Sequence, residues 1–128
     1  KFIAGQEYTV FVYSNKKTGL IKIIPIKIIN KKGITIEGIT QKNKKIINFV
    51  KQFDKIFTPN GPYNIQCIQK SNGDIYPFEI NPRISTTFCL ALKSGFNFKD
   101  AINKKKTIFN FKSGIKLKRS WNNYFIKK

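Results

Sequence analysis

Residues 61–85 read GPYNIQCIQKSNGDIYPFEINPRIS, and the fold predicted for the chain depends on this stretch. Near its middle, Asn72 and Gly73 separate two runs in which apolar and polar residues alternate. An Asn-Gly pair between alternating runs is typical of a β-hairpin. We therefore predict two antiparallel strands joined by a loop of two residues or of a symmetric four.

Both loop lengths give the same strand register, because both loops are centred on the same peptide bond. In that register Gln66 lies opposite Glu79, and Asn64 lies opposite Asn81. Side chains alternate between the two faces of a strand, so these four oxygen-bearing residues share one face. The same alternation predicts a dry opposite face made of Ile65, Cys67, Phe78 and Ile80.

The oxygen atoms on the polar face indicate a site for a hard cation. The Cβ atoms of directly opposed residues are roughly 4.5 to 5.5 Å apart, and a carboxylate and an amide can close that gap around an ion bound at about 2.0 to 2.1 Å. Glu79 is the natural anchor, Gln66 adds a neutral oxygen, and Asn81 projects to the same side. The alternative is a hairpin whose polar face meets only water.

Three stretches resemble ATP-grasp ligases: EINPR at 79–83, NIQ at 64–66 and GQEYTV at 5–10. Over roughly positions 1–100 the chain is similar to the C-terminal half of their nucleotide-binding module. It is most similar to the branch that resembles the large subunit of carbamoyl-phosphate synthase. The implied fold is α+β, an antiparallel β-sheet with helices packed on one face.

The resemblance also implies a reaction and assigns residues to it. Mg-ATP phosphorylates a small carboxylate, ADP is released, and an amine or similar nucleophile attacks the acyl phosphate. The implied catalytic residue is Arg83, which clamps the transferred phosphoryl group. The implied ATP-binding residues are Glu7, Lys27, Asn64 and Arg83. The implied ligands of Mg²⁺, or of Mn²⁺ in its place, are Gln66, Glu79 and Asn81.

Simpler interpretations of three of these residues stay open. Glu7 also fits an ordinary solvated carboxylate at the start of a strand. Lys27 also fits a solvated lysine that discourages pairing at a sheet edge. Arg83 also fits a purely structural ion pair with Glu79.

The net charge of +19 would ordinarily point to nucleic acid or an acidic membrane surface. The lysines are spread over nearly every segment, however, and arginine occurs only at positions 83 and 119. Arginine makes the bidentate contacts to phosphates and bases by which proteins read nucleic acids. We therefore expect no specific nucleic-acid partner. A basic polyanion-binding module and a non-catalytic ATP-grasp-like scaffold remain the alternatives to a ligase.

The bulk composition predicts a single globular domain over residues 1–128, because 41% of the residues are hydrophobic and 14% aromatic. We expect no membrane partner, since neither a long apolar run nor a signal peptide is visible, and a cytoplasmic location follows by default. The chain has no histidine, which excludes a Cys/His zinc site. Cys67 and Cys89 are predicted to be buried free thiols.

The remaining elements follow from hydrophobic periodicity and turn residues. Strands are predicted at 7–14 and 20–29, with Pro25 at a sheet edge or bulge, and a short strand or loop at 34–39. A helix capped by Thr40 runs to residue 57. Further helices are predicted at 87–94 and 98–104. The pattern is weakest over 105–128, where we predict edge strands at 108–111 and 115–118 and a tail anchored by Trp121, Tyr124 and Phe125.

In ATP-grasp enzymes, the segment before this part supplies the hinge that contacts adenine, a lysine and a glycine-rich phosphate loop. The sequence contains no counterpart of these features. The expected partners are therefore ATP, a carboxylate substrate with its acceptor, and N-terminal domains of the same protein. We expect the 128 residues alone to be inactive and the full-length protein to be a ligase.

Overall fold

The computed structural model describes residues 3–103, 106, 108–122 and 124–127. The strands are β1 Gln6–Asn15, β2 Gly19–Lys32, β3 Ile34–Thr40, β4 Gly61–Gln69, β5 Ile75–Asn81 and β6 Lys116–Lys118. The helices are α1 Lys44–Phe57, α2 Phe88–Lys93 and α3 Phe98–Ile102. The six strands form one antiparallel sheet in the order β5-β4-β1-β2-β3-β6. The predicted α+β class with an antiparallel sheet is confirmed.

The sheet buries apolar side chains on both of its faces. On one face, β1, β2 and β4 pack against α1 through Val10, Val12, Ile23, Ile46, Val50 and Ile65, among others. On the other face, β1 and β2 pack against α2 and α3 through Phe11, Ile24, Ile26, Leu90 and Ala101, among others. The helices thus cover both faces, whereas the sequence predicted helices on one face. A strand such as β2, whose residues are apolar at nearly every position from Leu20 to Ile29, is buried on both of its faces.

Helix α1 begins later than predicted. Its N-cap is Asn43, whose side-chain oxygen accepts a hydrogen bond from the Ile46 amide at 3.2 Å. Thr40, the predicted cap, is instead the last residue of β3, and its hydroxyl donates to the Lys112 carbonyl at 2.9 Å. The same hydroxyl accepts from the Ile115 amide at 3.0 Å, so a contact distant in sequence takes the place of the local cap.

Pro25 lies in an interior strand without costing a ladder hydrogen bond. The last β2–β3 pair joins Ile26 to Thr40, so β2 has no strand partner on that side at Pro25. The sequence predicted that Pro25 puts this strand at a sheet edge or a bulge. The edge position is wrong, because β2 lies between β1 and β3, and Pro25 lacks a strand partner only locally, on the β3 side.

The C-terminal quarter departs most from the prediction. The edge strand at 116–118 forms against β3, but residues 108–111 form no strand, and Phe111 is buried in the core beside α2 and α3. The predicted helix 98–104 ends at Ile102, and residue 104 lies outside the described residues. The predicted anchors Trp121, Tyr124 and Phe125 are 63%, 84% and 95% exposed, so the anchoring prediction is wrong.

The two cysteines, both predicted to be buried, differ in exposure. Both cysteines are free thiols, but only Cys67 is buried, while Cys89 on α2 is exposed.

Within the described part of the chain, no helix has the length and apolar character needed to cross a bilayer.

Candidate active site

The hairpin of β4 and β5 has the predicted register at its functional end. Gln66 pairs with Glu79, and Asn64 pairs with Asn81. Between Gln66 and Cys67 the register shifts, because Cys67 pairs with Pro77 and leaves Phe78 as a β-bulge. The prediction of these two pairs is confirmed, and the hairpin is bulged rather than regular.

The predicted dry face is only half formed. Ile65 and Cys67 are fully buried against α1, whereas Phe78 and Ile80 on the edge strand are 53% and 44% exposed. The prediction that Phe78 and Ile80 lie on a dry face is therefore wrong. β5 is the outermost strand, and α1 packs mainly over the centre of the sheet.

A cavity of about 140 Å³ opens on the opposite face, where β1 and β4 meet the loop after β5. It lies on the same side of the sheet as Phe11, α2 and α3, since Thr9 and Asn64 alternate with core residues of the α1 face. The cavity is lined by Glu7, Thr9, Lys31, Gly33, Ile34, Thr35, Asn64, Gln66, Asn81, Arg83, Ser85, Thr86 and Thr87. Five of the predicted site residues therefore line one cavity: Glu7, Asn64, Gln66, Asn81 and Arg83.

Four side chains form a continuous line of polar contacts at the mouth of this cavity. The Lys31 ammonium lies 2.6 Å from Glu7 Oε1 and donates to Gln66 Oε1 at 3.3 Å. The Gln66 amide nitrogen in turn donates to Glu79 Oε2. Glu79 is exposed and contacts the cavity residues through Gln66. Glu7 is therefore an ion-paired carboxylate whose side chain is still 29% exposed.

Lys31 is a residue that the sequence analysis missed. The predicted strand ends at residue 29, whereas β2 continues through irregular pairs to Lys32. These irregularities lie between Ile28 and Lys31 and allow the Lys31 ammonium to reach Glu7. An additional residue in a strand cannot be recognised from alternation alone, because it reverses the alternation.

Lys27, the predicted ATP-binding lysine, is not brought to the cavity. It pairs with Tyr8 across β1 and β2, and Tyr8 belongs to the core on the α1 face. Directly paired residues share a face, so Lys27 lies on the side of the sheet opposite to Glu7 and Thr9.

Asn64 and Arg83 differ in how firmly they are held. Asn64 is buried, and its side-chain oxygen accepts a hydrogen bond from the Thr9 hydroxyl at 2.6 Å. Arg83 is exposed, and its Nη1 donates to the Ile84 carbonyl at 3.1 Å. Among the described residues no ion pair joins Arg83 to Glu79, so the structural ion pair considered above is not formed.

The donor atoms suit a magnesium ion that is shared with phosphate groups. The described residues contain no group of three or more histidine, cysteine or acidic side chains able to hold a metal. Glu79, Gln66 and Asn81 provide one carboxylate and two amide oxygens, which are hard ligands but too few for an octahedral ion on their own. Because the Gln66 nitrogen faces Glu79, metal binding by Gln66 requires its amide to turn.

Burial shifts the pKa of three groups outside this line of contacts. Burial, with a smaller effect of the Glu7 charge, raises the pKa of Cys67 to about 12. Burial also raises the pKa of Tyr63, and the charge of Asp54 and its hydrogen bond with the Tyr63 hydroxyl add to the effect. For Lys22, burial lowers the pKa, and the charge of Asp100 opposes that shift.

A family model described as "ATP-grasp in the biosynthetic pathway with Ter operon" matches residues 1–115. The chain belongs to the ATP-grasp family. This confirms the resemblance inferred from the EINPR, NIQ and GQEYTV stretches. The match identifies the family as a whole, and the carbamoyl-phosphate synthase-like branch stays a prediction.

Solved ATP-grasp structures share the fold of this ATP-grasp chain at low identity. The biotin carboxylase domain of a thermophilic 2-oxoglutarate carboxylase bound to bicarbonate has a TM-score of 0.68 at 13% identity, over 91% of this chain and 30% of that one. N5-carboxyaminoimidazole synthetase from Staphylococcus aureus complexed with ADP has a TM-score of 0.66 at 14% identity, over 88% of this chain and 34% of that one. An L-amino acid ligase from Bacillus licheniformis has a TM-score of 0.60 at 19% identity, over 82% and 30%.

These similarities concern the fold, and this chain spans about a third of the length of the structures it matches. Among curated proteins, no sequence matches the chain.

Proposed function

We propose that this chain is the C-terminal part of the nucleotide site of an Mg-ATP-dependent, ADP-forming ligase. The proposed substrates are a small carboxylate, which is activated as an acyl phosphate, and an amine or similar acceptor. A carbamoyl-phosphate synthase-like reaction belongs to the same proposal, as does a cytoplasmic location. N-terminal domains of the same protein would provide the adenine contacts and the remaining phosphate contacts.

One observation carries the proposal: oxygen donors and two cationic side chains meet at a single polar cavity. Asn64, Gln66 and Asn81 line it together with Lys31 and Arg83, and Glu79 is joined to it through Gln66. Phosphoryl transfer depends mainly on positioning and on neutralising charge at the phosphate oxygens. Carboxylate and amide oxygens next to a lysine and an arginine are the groups that such chemistry requires.

In this proposal, bound magnesium neutralises charge on the phosphate oxygens. Glu79 and Asn81 would hold the ion, and Gln66 would join them once its amide turns away from Lys31. Lys31 would then exchange its contact with Gln66 for one with a phosphate oxygen, while Glu7 keeps the lysine close to the site. Arg83 is exposed and forms no ion pair among the described residues, so its guanidinium is available to the transferred phosphoryl group.

The test is to measure ATP affinity with and without Mg²⁺ for the full-length wild-type protein and for its Glu79→Ala variant. The matched control is Glu37→Ala, which removes a β3 carboxylate that pairs with Lys116 and Lys118 of β6 and does not line the cavity. We expect Mg²⁺ to strengthen binding in the wild type and in the control, and Glu79→Ala to lose that gain. Metal dependence that survives in Glu79→Ala would contradict the proposal.

The net charge of +19 favours polyanion binding as a second candidate. A polyanion binder would take up ATP regardless of Glu79, and its affinity would fall steeply with salt concentration because counterions are released on binding.

A non-catalytic scaffold would form no ADP with any carboxylate and amine when the full-length protein is screened against a panel of amino acids. Turnover by the 128 residues alone would contradict the proposed need for N-terminal domains.

A further inference from the structure

The loop that carries Arg83 has few connections to the rest of the fold. This loop, residues 82–87, joins β5 to α2 and contributes four residues to the cavity wall, namely Arg83, Ser85, Thr86 and Thr87. Most of its hydrogen bonds are local: Arg83 donates to Ile84, the Ser85 and Thr87 hydroxyls lie 2.7 Å apart, and the Phe88 amide donates to Ser85. Local bonds of this kind shape a loop without attaching it to the sheet.

Arg119 makes the long-range attachment. Its Nη2 donates to the Thr86 carbonyl at 2.5 Å, and its Nε donates to the Thr35 carbonyl of β3 at 2.9 Å. Within the described part of the chain, this is the one hydrogen bond that ties residues 82–87 to a distant segment. Thr35 and Thr86 both line the cavity, so a single guanidinium joins two of its walls from outside.

The base from which Arg119 acts is itself firmly held. Strand β6 pairs with β3, and the Arg119 amide donates to the Ile36 carbonyl at 2.9 Å. Residues 112–115, just before β6, are held by Thr40 at the end of β3. Thr40 accepts and donates hydrogen bonds with these residues through both its hydroxyl and its backbone. The planar fork of arginine can reach two carbonyl groups at once, which the single ammonium of lysine cannot do in the same way.

We propose that Arg119 is a positioning residue that holds the Arg83 loop against β3 and so places Arg83 at the cavity. Arg119 lies beyond residues 1–115 that match the family model, so it is a feature of this chain rather than of the matched pattern. The effect on nucleotide binding rests on the proposed function, because it acts through Arg83. The effect on the loop does not depend on the proposed function.

The first measurement is amide hydrogen exchange at Phe88 and Leu90, which donate to the Ser85 and Thr87 carbonyls. Exchange is compared among the wild type, Arg119→Ala, Arg119→Lys and the control Lys118→Ala. Lys118 is the neighbouring cation. Its side chain is 77% exposed, and its ammonium lies 3.8 Å from Glu37 Oε1. We expect Arg119→Ala to speed exchange about tenfold or more through local opening, with Arg119→Lys intermediate and Lys118→Ala unchanged.

The second measurement is the Mg-ATP affinity of the full-length protein in a double-mutant cycle with Arg83→Ala. If Arg119 acts through Arg83, Arg119→Ala weakens binding several-fold in the wild-type background and adds little in the Arg83→Ala background. Equal losses in both backgrounds, or unchanged exchange in Arg119→Ala, would overturn the positioning role. Faster exchange in Arg119→Ala, in a full-length protein that shows no Mg-dependent ATP binding, would uphold the role of Arg119 in the loop and refute the ligase proposal.

Discussion

Gln66 lies directly opposite Glu79 on β4 and β5, and its amide nitrogen donates a hydrogen bond to the Glu79 carboxylate. This pairing brings a carboxylate from the edge strand to a cavity that the neighbouring strands line. The Gln66 oxygen is at the same time held by Lys31, at 3.3 Å. The amide therefore separates a cation from an anion at the point where a metal ion is proposed to bind.

The contrast between Lys31 and Lys27 yields the first prediction. Lys31→Met removes the cation beside Gln66 and Glu7, so ATP affinity should fall, roughly 10- to 100-fold if one hydrogen bond between charged groups is lost. Affinity for Mn²⁺ alone should rise, because a positive charge next to the metal ligands is gone. Both affinities can be measured by calorimetry.

The matched control is Lys27→Met, which removes the same charge from the opposite face of the sheet. We expect it to change neither affinity appreciably. A larger loss of ATP affinity in Lys27→Met than in Lys31→Met would mean that the nucleotide lies on the α1 face, contrary to the site described above.

The bulge at Phe78 yields the second prediction. Deleting Phe78 places Pro77 and Glu79 next to each other, opposite Cys67 and Gln66, and so converts the bulge into a regular ladder with the same Gln66–Glu79 pair. Mg-dependent ATP binding should therefore survive the deletion. The comparison is deletion of Ile80, which makes Glu79 and Asn81 consecutive residues and so turns Asn81 to the face opposite Glu79. Similar loss of binding in both deletions would show that the bulge itself, and not the register, shapes the site.

The buried thiol of Cys67 yields the third prediction. Burial raises its pKa from an ordinary 9.0 to about 12. Above pH 9 the unfolded thiol loses its proton while the folded thiol keeps it, so the unfolded state binds fewer protons and becomes favoured. The free energy of unfolding should therefore hold its full value below pH 9. It should fall by up to about 1.4 kcal/mol per pH unit between pH 9 and 12.

Denaturant unfolding from about pH 8 to about pH 10.5 tests this linkage. The wild type should lose stability more steeply than Cys67→Ala, in which the titrating group is absent. Cys89→Ser, which removes an exposed thiol, is the matched control. Other titrating groups contribute equally to all three proteins and cancel in the comparison. Parallel pH profiles of stability for the wild type and Cys67→Ala would refute the predicted contribution of Cys67.

Local sequence patterns predicted the hairpin, the two residue pairs at its functional end and the family. The motif residues 79–83 and the alternation around Asn72-Gly73 are short-range signals, and the pairs Gln66–Glu79 and Asn64–Asn81 follow from them. The predicted loop was nevertheless too short. The strands end at Gln69 and Ile75, one step out of the predicted register, and the Phe78 bulge restores that register before Glu79.

What the sequence by itself determined is the set of groups that the chain brings to its chemistry: one hairpin with a carboxylate, three amides and an arginine on a family motif. The tertiary structure decided which cations join that set and how the loop is held. Lys31 reaches Glu7 only because irregular pairing redirects the end of β2, and Arg119 reaches Thr86 across 33 residues. Both contacts depend on strand irregularities and long-range packing, which alternation and local motifs do not encode, because those signals extend over only a few neighbouring residues.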